Sequence, residues 1–144
     1  MTAGLPLALI AVLAAIALLH AYWGVGGLWP GRDEASLAQT VIGRIPGGKM
    51  PPPAACMAVA AAIAAGVALV ALVSFTALPE PQRGLARIAY GVFASVFLLR
   101  GLAGYVPPIW KPSAGTPFVR LNIRYYSPLC LIIGAGLTIN ALWR

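Results

Sequence analysis

Four stretches of the chain are apolar almost throughout, and each is fenced by proline, glycine or aromatic residues. About 20 apolar residues cross the core of a bilayer as a helix, so the pattern predicts four transmembrane helices, at residues 5–22, 54–78, 88–106 and 125–143. The first run is broken only by His20 and ends at Tyr22-Trp23 and the glycines that follow. That ending reads as an interfacial aromatic anchor and a helix stop. At 1.5 Å per residue the run extends about 27 Å, just enough for the hydrocarbon core. The second run is opened by Pro51-Pro52-Pro53 and carries Ala58, Ala62 and Gly66 at four-residue spacing. Small residues so placed let helix backbones approach closely in lipid, which predicts a central position for this helix. The third lies between Pro81 and Pro107-Pro108, and Pro128 in the fourth predicts a regular start near Ser127.

The polar intervals between these runs are unequal. Residues 79–87 make a short link, whereas residues 23–53 and 107–124 are long and, in an up-and-down arrangement, fall on one side of the membrane. Long connections are more often self-structured or functional than idle. Within the first, Asp33 to Ile42 reads as a short helix at the membrane interface, with Asp33 as N-cap and Gly43 as stop. The expected fold is an all-α integral membrane protein, a four-helix up-and-down bundle forming one domain over residues 1–144.

Composition agrees with the pattern. Only 9% of the 144 residues are charged, 60% are hydrophobic, and the mean hydropathy is +0.87. Soluble domains carry about 25% charged residues, so a water-soluble globule is excluded. Ten Lys and Arg against three acids give a net charge of +7. The basic residues are scattered singly between apolar runs, which fits membrane flanking and not nucleic acid. No basic residue precedes the first run and no small-residue cleavage site follows it, so it is expected to be retained as a helix. P-loop, dinucleotide-binding and zinc-protease patterns are absent from the sequence.

Alternate threading brings nearly every unusual residue to the loop-bearing face: His20, Tyr22 and Trp23; Cys56 and Met57; Arg100 and Tyr105; Arg120, Asn122, Arg124, Tyr125, Tyr126, Ser127 and Cys130. The opposite face keeps only Glu80, Arg83, Arg87, Asn140 and Arg144. Arg100 is the sharpest signal. An arginine at a helix centre costs about 2.5–3.5 kcal/mol on the insertion scale, less near an end, and it keeps its proton. No carboxylate lies within any span. Two readings stay open: Arg100 snorkels to headgroups, or it faces the bundle interior and takes carbonyls, tyrosine hydroxyls, Asp33, Glu34 or a bound anion as partner. His20 is the one conventional acid–base candidate, and it has no buried carboxylate to orient it. One His and two Cys do not make a four-ligand zinc site. His20, Cys56, Met57 and Cys130 are soft-ligand candidates, against the plainer reading of the cysteines as packing residues. No cofactor is required by the sequence.

Arg120 and Arg124 offer forked donors, and Asn122, Tyr125, Tyr126 and Ser127 lie among them, a set suited to a phosphate, carboxylate or lipid headgroup. The competing reading is an ordinary basic and aromatic membrane anchor. A weaker internal echo pairs Leu18-Leu19-His20 and Gly24 with Leu98-Leu99-Arg100 and Gly104, as if two related hairpins faced each other.

The run Leu19-His20-Ala21-Tyr22-Trp23 to Gly27, then Phe97 to Arg100, then Arg120 to Cys130 with its Tyr-Ser-Pro-Leu-Cys core, resembles the bacterial membrane family called domain of unknown function 3995. The resemblance covers almost the whole chain and implies a small four-helix membrane protein without an established activity. Where it leads one to expect an acid two residues before Arg124, this sequence has Asn122.

Three functions are expected in turn. The first is a binding protein, a transport or sensing component, that holds an anionic or amphipathic small molecule or lipid headgroup through His20, Tyr22, Trp23, Arg100, Arg120, Asn122, Arg124, Tyr125, Tyr126 and Ser127. The second is a membrane enzyme or redox protein using His20 and the cysteines. The third is an accessory subunit of a homo-oligomer or larger membrane complex. Six basic residues, Arg32, Arg44, Lys49, Lys111, Arg120 and Arg124, lie on the loop side against Arg83, Arg87 and Arg144. That bias puts the loop side in the cytoplasm and both termini outside, in a bacterial inner membrane.

Overall fold

A computed structural model describes residues 3–44 and 46–143. It contains no strand among these residues, and four of its helices are long and apolar enough to cross a membrane. The protein is an all-α four-helix membrane bundle. Its elements are α1 (Gly4–Gly24), α2 (Glu34–Val41), α3 (Pro53–Phe75), α4 (Gln82–Ala103), α5 (Pro107–Trp110), α6 (Pro117–Leu121) and α7 (Ser127–Leu142). A π-helical turn, Asn122–Tyr126, joins α6 to α7, so Pro117–Leu142 is one continuous 26-residue span. Arg144, counted above on the far face, lies outside the described residues.

The helix ends follow local chemistry. After Gly24 the chain turns through Gly26, whose φ of 89° closes a pair of end bonds, Gly27 N to Tyr22 O (2.8 Å) and Gly26 N to Trp23 O (3.0 Å). This double bond set satisfies the last carbonyls of α1 and needs a left-handed residue between. The short helix expected over residues 33–42 is present as α2. Asp33 accepts from Ser36 N at 2.7 Å while the Ser36 hydroxyl takes the Asp33 amide, and Gly43 at φ 101° ends the helix.

Four boundaries differ by three residues or more from those expected. α3 stops at Phe75, not Leu78, because Thr76 turns extended. α4 begins behind Pro81, at Gln82, not at Ile88, and stops at Ala103, not Val106. Hydropathy marks what belongs in hydrocarbon, while a helix continues through polar residues such as Arg83 and Arg87 until a breaker intervenes. The fourth helix starts at Pro117, eight residues before Tyr125. Pro128 has no N–H to give and its ring crowds the carbonyl one turn back. The preceding π turn, closed by Ser127 N on Asn122 O, admits it without a break.

Packing divides the bundle into two antiparallel pairs: α1 lies chiefly on α3, and α4 chiefly on α7. In the second pair the contacts are reciprocal. A Cβ added at Gly101 would meet the backbone N of Leu131 at 3.0 Å, and one at Gly134 would meet that of Leu98 at 3.0 Å. Each leucine thus covers the other helix's glycine, the close approach that packing in lipid favours. Between the pairs sits a core that includes Leu13, Val70, Tyr90, Phe97, Ile133 and Leu137. On α4 the inward set Tyr90, Ala94, Phe97 and Gly101 alternates with an exposed set, Ile88, Val92, Val96 and Leu99. Apolar on both faces, the helix is suited to lipid outside and to protein inside.

Of the small-residue stripe expected on the second span, only Gly66 is buried. Ala58 and Ala62 are exposed, while Ala60, Ile63, Gly66 and Val70 are buried, with Gly66 against the Phe93 ring. Four-residue spacing drifts off a 3.6-residue helix, so the buried seam mixes steps of three and four.

Candidate functional site

The two long connections do fold together. Leu37 and Ala38 of α2 and Phe118 of α6 are each 1% exposed and form a small core of their own over this end of the bundle. The Ser113 hydroxyl accepts from Arg44 N at 3.0 Å, tying the first connection to the third. Tyr126 donates to Thr40 O at 3.2 Å, and its ring continues a series with Phe118 and Trp110. Tyr126 is therefore a strut between α2 and the fourth span.

Beneath this cap lies a polar knot centred on Asn122, which is fully buried. Its Oδ1 accepts from Arg100 Nη2 at 2.9 Å and from the Ser127 hydroxyl at 3.2 Å. Its Nδ2 donates to Gly104 O at 3.3 Å. Gly104 makes the geometry possible, because a Cβ there would run into the Ser127 side chain. The Arg100 guanidinium also lies over the Trp110 ring, 5.2 Å from its centroid, and Trp110 is itself held by a 2.7 Å bond from Nε1 to Ala103 O. Of the two readings of Arg100, the interior one holds. Its Nη1 is buried and has no hydrogen-bond partner among the described residues.

The loop acids weighed as counter-ions are otherwise engaged. Asp33 caps α2, and Glu34 accepts from Met50 N at 3.1 Å. The Ser36 amide and hydroxyl hold the Asp33 carboxyl below its ordinary pKa. Among the described residues the one ion pair is Glu80 with Arg83, exposed and 3.9 Å apart, at the far end of the chain's third span. Arg100 thus has a neutral amide where a carboxylate would compensate it.

Helical periodicity separates the donors that the sequence places side by side. Two residues along a helix turn about 200°, so Asn122 faces inward while Arg120 and Arg124 on either side are exposed. Arg124 lies over the exposed Tyr125 ring at 5.5 Å, an arrangement of the interfacial kind. His20, Tyr22 and Trp23 form a second group on α1. His20 Nδ1 donates to Ile16 O at 2.9 Å, and its ring meets Trp23 edge-on at 5.1 Å. Trp23 donates to Trp29 O at 2.8 Å, while the Tyr22 hydroxyl accepts from Trp29 N at 3.4 Å. No hydrogen bond or ring contact among the described residues joins this group to Arg100. Met57 packs on Gly24, Cys56 Sγ lies 3.9 Å from Pro51 O, and both Cys56 and Cys130 are free thiols. No set of three or more His, Cys, Asp or Glu side chains with metal-binding geometry occurs among the described residues.

Trp110, Phe118 and Gly104 were not singled out as site residues from the sequence. A tryptophan in a proline-rich connection was their one visible signal. Chemically, the assembled site offers a half-buried cationic donor, an amide that fixes it, and an outer pair of exposed arginines. A family profile described as a protein of unknown function (DUF3995) matches residues 13–137, from the middle of α1 to the last turns of α7. No curated protein and no solved structure matches the chain.

Proposed function

The chain belongs to the DUF3995 family, and on that premise we propose that it is a binding component of a bacterial inner membrane, holding an anionic lipid headgroup or small anion at its loop-bearing face. The observation that carries this reading is the state of Arg100: a guanidinium with one terminal nitrogen on neutral Asn122 and the other buried with no hydrogen-bond partner among the described residues. A charged group left unpaired in a low-dielectric site is costly, and an anion removes that cost. Arg100 is the inner donor. Arg120, Arg124 and Tyr125 are the outer, interfacial set that draws anions to this face, as basic and aromatic residues do beside anionic leaflets.

The loop-bearing face lies in the cytoplasm in this reading, supported by its share of Lys and Arg. Topology reporters fused to either terminus test that placement, and a cytoplasmic signal from both would reverse it. For binding, the full chain is reconstituted in phosphatidylcholine vesicles with and without phosphatidylglycerol, and retained lipid is read by native mass spectrometry. Retention of phosphatidylglycerol falls about tenfold in Arg100→Gln, the scale of one charge-assisted contact, and is partly restored in Arg100→Lys. Equal retention by the wild type and Arg100→Gln sinks the proposal.

A further inference from the structure

At the end of the bundle opposite the loops, a cavity of about 460 Å³ opens between the last turn of α3, the link to α4, the first turns of α4 and the end of α7. Its volume falls within the range of small-molecule sites, about 300–1,000 Å³. The buried part of its wall carries two hydroxyls, Ser74 at 4% and Tyr90 at 0% exposure. Both are set by one residue that is not on the wall. Asn140, fully buried on α7, donates through Nδ2 to Ser74 Oγ at 3.0 Å and to Tyr90 OH at 2.9 Å.

With Asn140 Nδ2 turned to them, both hydroxyl oxygens serve as acceptors. Neither hydroxyl donates to any acceptor among the described residues. Their protons are therefore available, from buried positions on the cavity wall, to an acceptor placed inside it. The exposed part of the wall carries Arg83 and Arg87, one helical turn apart on α4. Arg83 is partly committed, donating to Leu78 O at 3.0 Å, whereas Arg87 makes no hydrogen bond or ion pair among the described residues. Between hydroxyls and arginines the wall is apolar, with Val73, Phe75 and Ala86 among its residues.

We infer that this cavity is a second binding site, for the phosphate oxygens of a phosphate-bearing molecule, with Arg87 and Arg83 at its mouth and the Tyr90 and Ser74 hydroxyls as inner donors. The apolar wall accommodates the first carbons of a lipid, and the same donor set takes a free phosphate. The inference stands on different residues from the Arg100 proposal, and either can fail without the other.

The test uses the full-length protein in vesicles of phosphatidylcholine containing phosphatidylglycerol, with bound lipid read by native mass spectrometry. In parallel, its thermal unfolding in detergent is followed with inorganic phosphate against chloride at equal ionic strength. Arg83→Gln/Arg87→Gln alters exposed side chains, so the bundle stays folded, as circular dichroism verifies. In an Arg100→Gln background, where the loop-face site is disabled, the smaller phosphatidylglycerol retention that remains falls again by about tenfold on adding the arginine pair. Tyr90→Phe, which removes one inner donor, lowers it as well. A phosphate-dependent rise in unfolding temperature that the arginine pair abolishes, without lipid retention, assigns the site to the free anion. If neither lipid nor phosphate responds to Arg83→Gln/Arg87→Gln, the inference is overturned.

Discussion

The fourth span carries a buried asparagine near each end, and the two do opposite things. Asn122 and Asn140 are 18 residues apart, about 27 Å along a helix, close to the thickness of the hydrocarbon core. Asn122 closes its end: it gathers Arg100, Ser127 and the Gly104 carbonyl beneath a cap of loop helices. Asn140 organises its end differently, holding two hydroxyl-bearing side chains that line a cavity. Its own Oδ1 is buried and has no partner among the described residues. The same side chain thus serves as a clamp where a charge must be fixed and as a template where hydroxyls line a cavity. The difference lies in what each is bonded to, which an amide's paired donor and acceptor groups allow.

The largest expected effect separates the two asparagines directly. Asn122→Ala deprives Arg100 of its hydrogen bond and leaves the Ser127 and Gly104 groups buried without that partner, a loss of about 3 kcal/mol. Asn140→Ala frees two neutral hydroxyls and removes an acceptor without a partner among the described residues, so it costs about 1 kcal/mol. Unfolding in mixed micelles with a graded denaturant measures both. Equal losses would erase the distinction between the ends.

Glycines sharpen the contrast. A methyl at Gly104 meets the Ser127 side chain, and Gly104→Ala is expected to cost about 2 kcal/mol through overpacking. Gly91, next to Tyr90 on the other half of α4, has nothing within 4 Å of an added Cβ. Gly91→Ala is therefore neutral or stabilising by up to about 1 kcal/mol, the gain in helix propensity. The same unfolding assay ranks the two, and a reversed order would place the tight approach at the wrong end.

The smallest effect concerns the cap. The Asp33 carboxyl is held below its ordinary value of 3.8 by the Ser36 amide and hydroxyl. A carboxyl with a lowered folded pKa stabilises fully above its unfolded value, and the contribution fades as pH falls through the folded one. Hydrogen exchange at the Ser36 amide should be protected at neutral pH and lose protection in acid. The Asn122 knot contains no carboxylate, so exchange in the first turns of α7 should not follow the same acid transition. A shared transition would mean that cap and knot melt as one unit.

Much of this was readable from the chain, and unevenly. Four spans, α2 with its Asp33 cap and Gly43 stop, and the placing of the two long connections on one side follow from hydropathy, capping chemistry and alternation. Helix ends were less legible, since polar residues such as Arg83 and Arg120 leave hydrocarbon without leaving the helix. The interior fate of Arg100 was one of two open readings, settled only by tertiary contact. The run from Arg120 to Arg124 shows why density in sequence is not convergence in space: helical rotation turns its asparagine inward and its arginines out. The cavity at the far end was only partly legible: Arg83, Arg87 and Asn140 fell on the less populated face, but Ser74 and Tyr90 are unremarkable within apolar runs. Its volume depends on how helix ends splay, which no residue pattern encodes locally.

Arg100 points into the bundle and is fixed there by Asn122. A double-mutant cycle on folding stability, with Arg100→Met, Asn122→Leu and both together, tests this most directly. Two side chains joined as the structure joins them, at 2.9 Å, should show a coupling of about 1.5–3 kcal/mol, the range for a hydrogen bond to a charged group. A coupling near zero, with the two losses simply adding, would mean that Arg100 reaches the headgroups instead and would contradict the account.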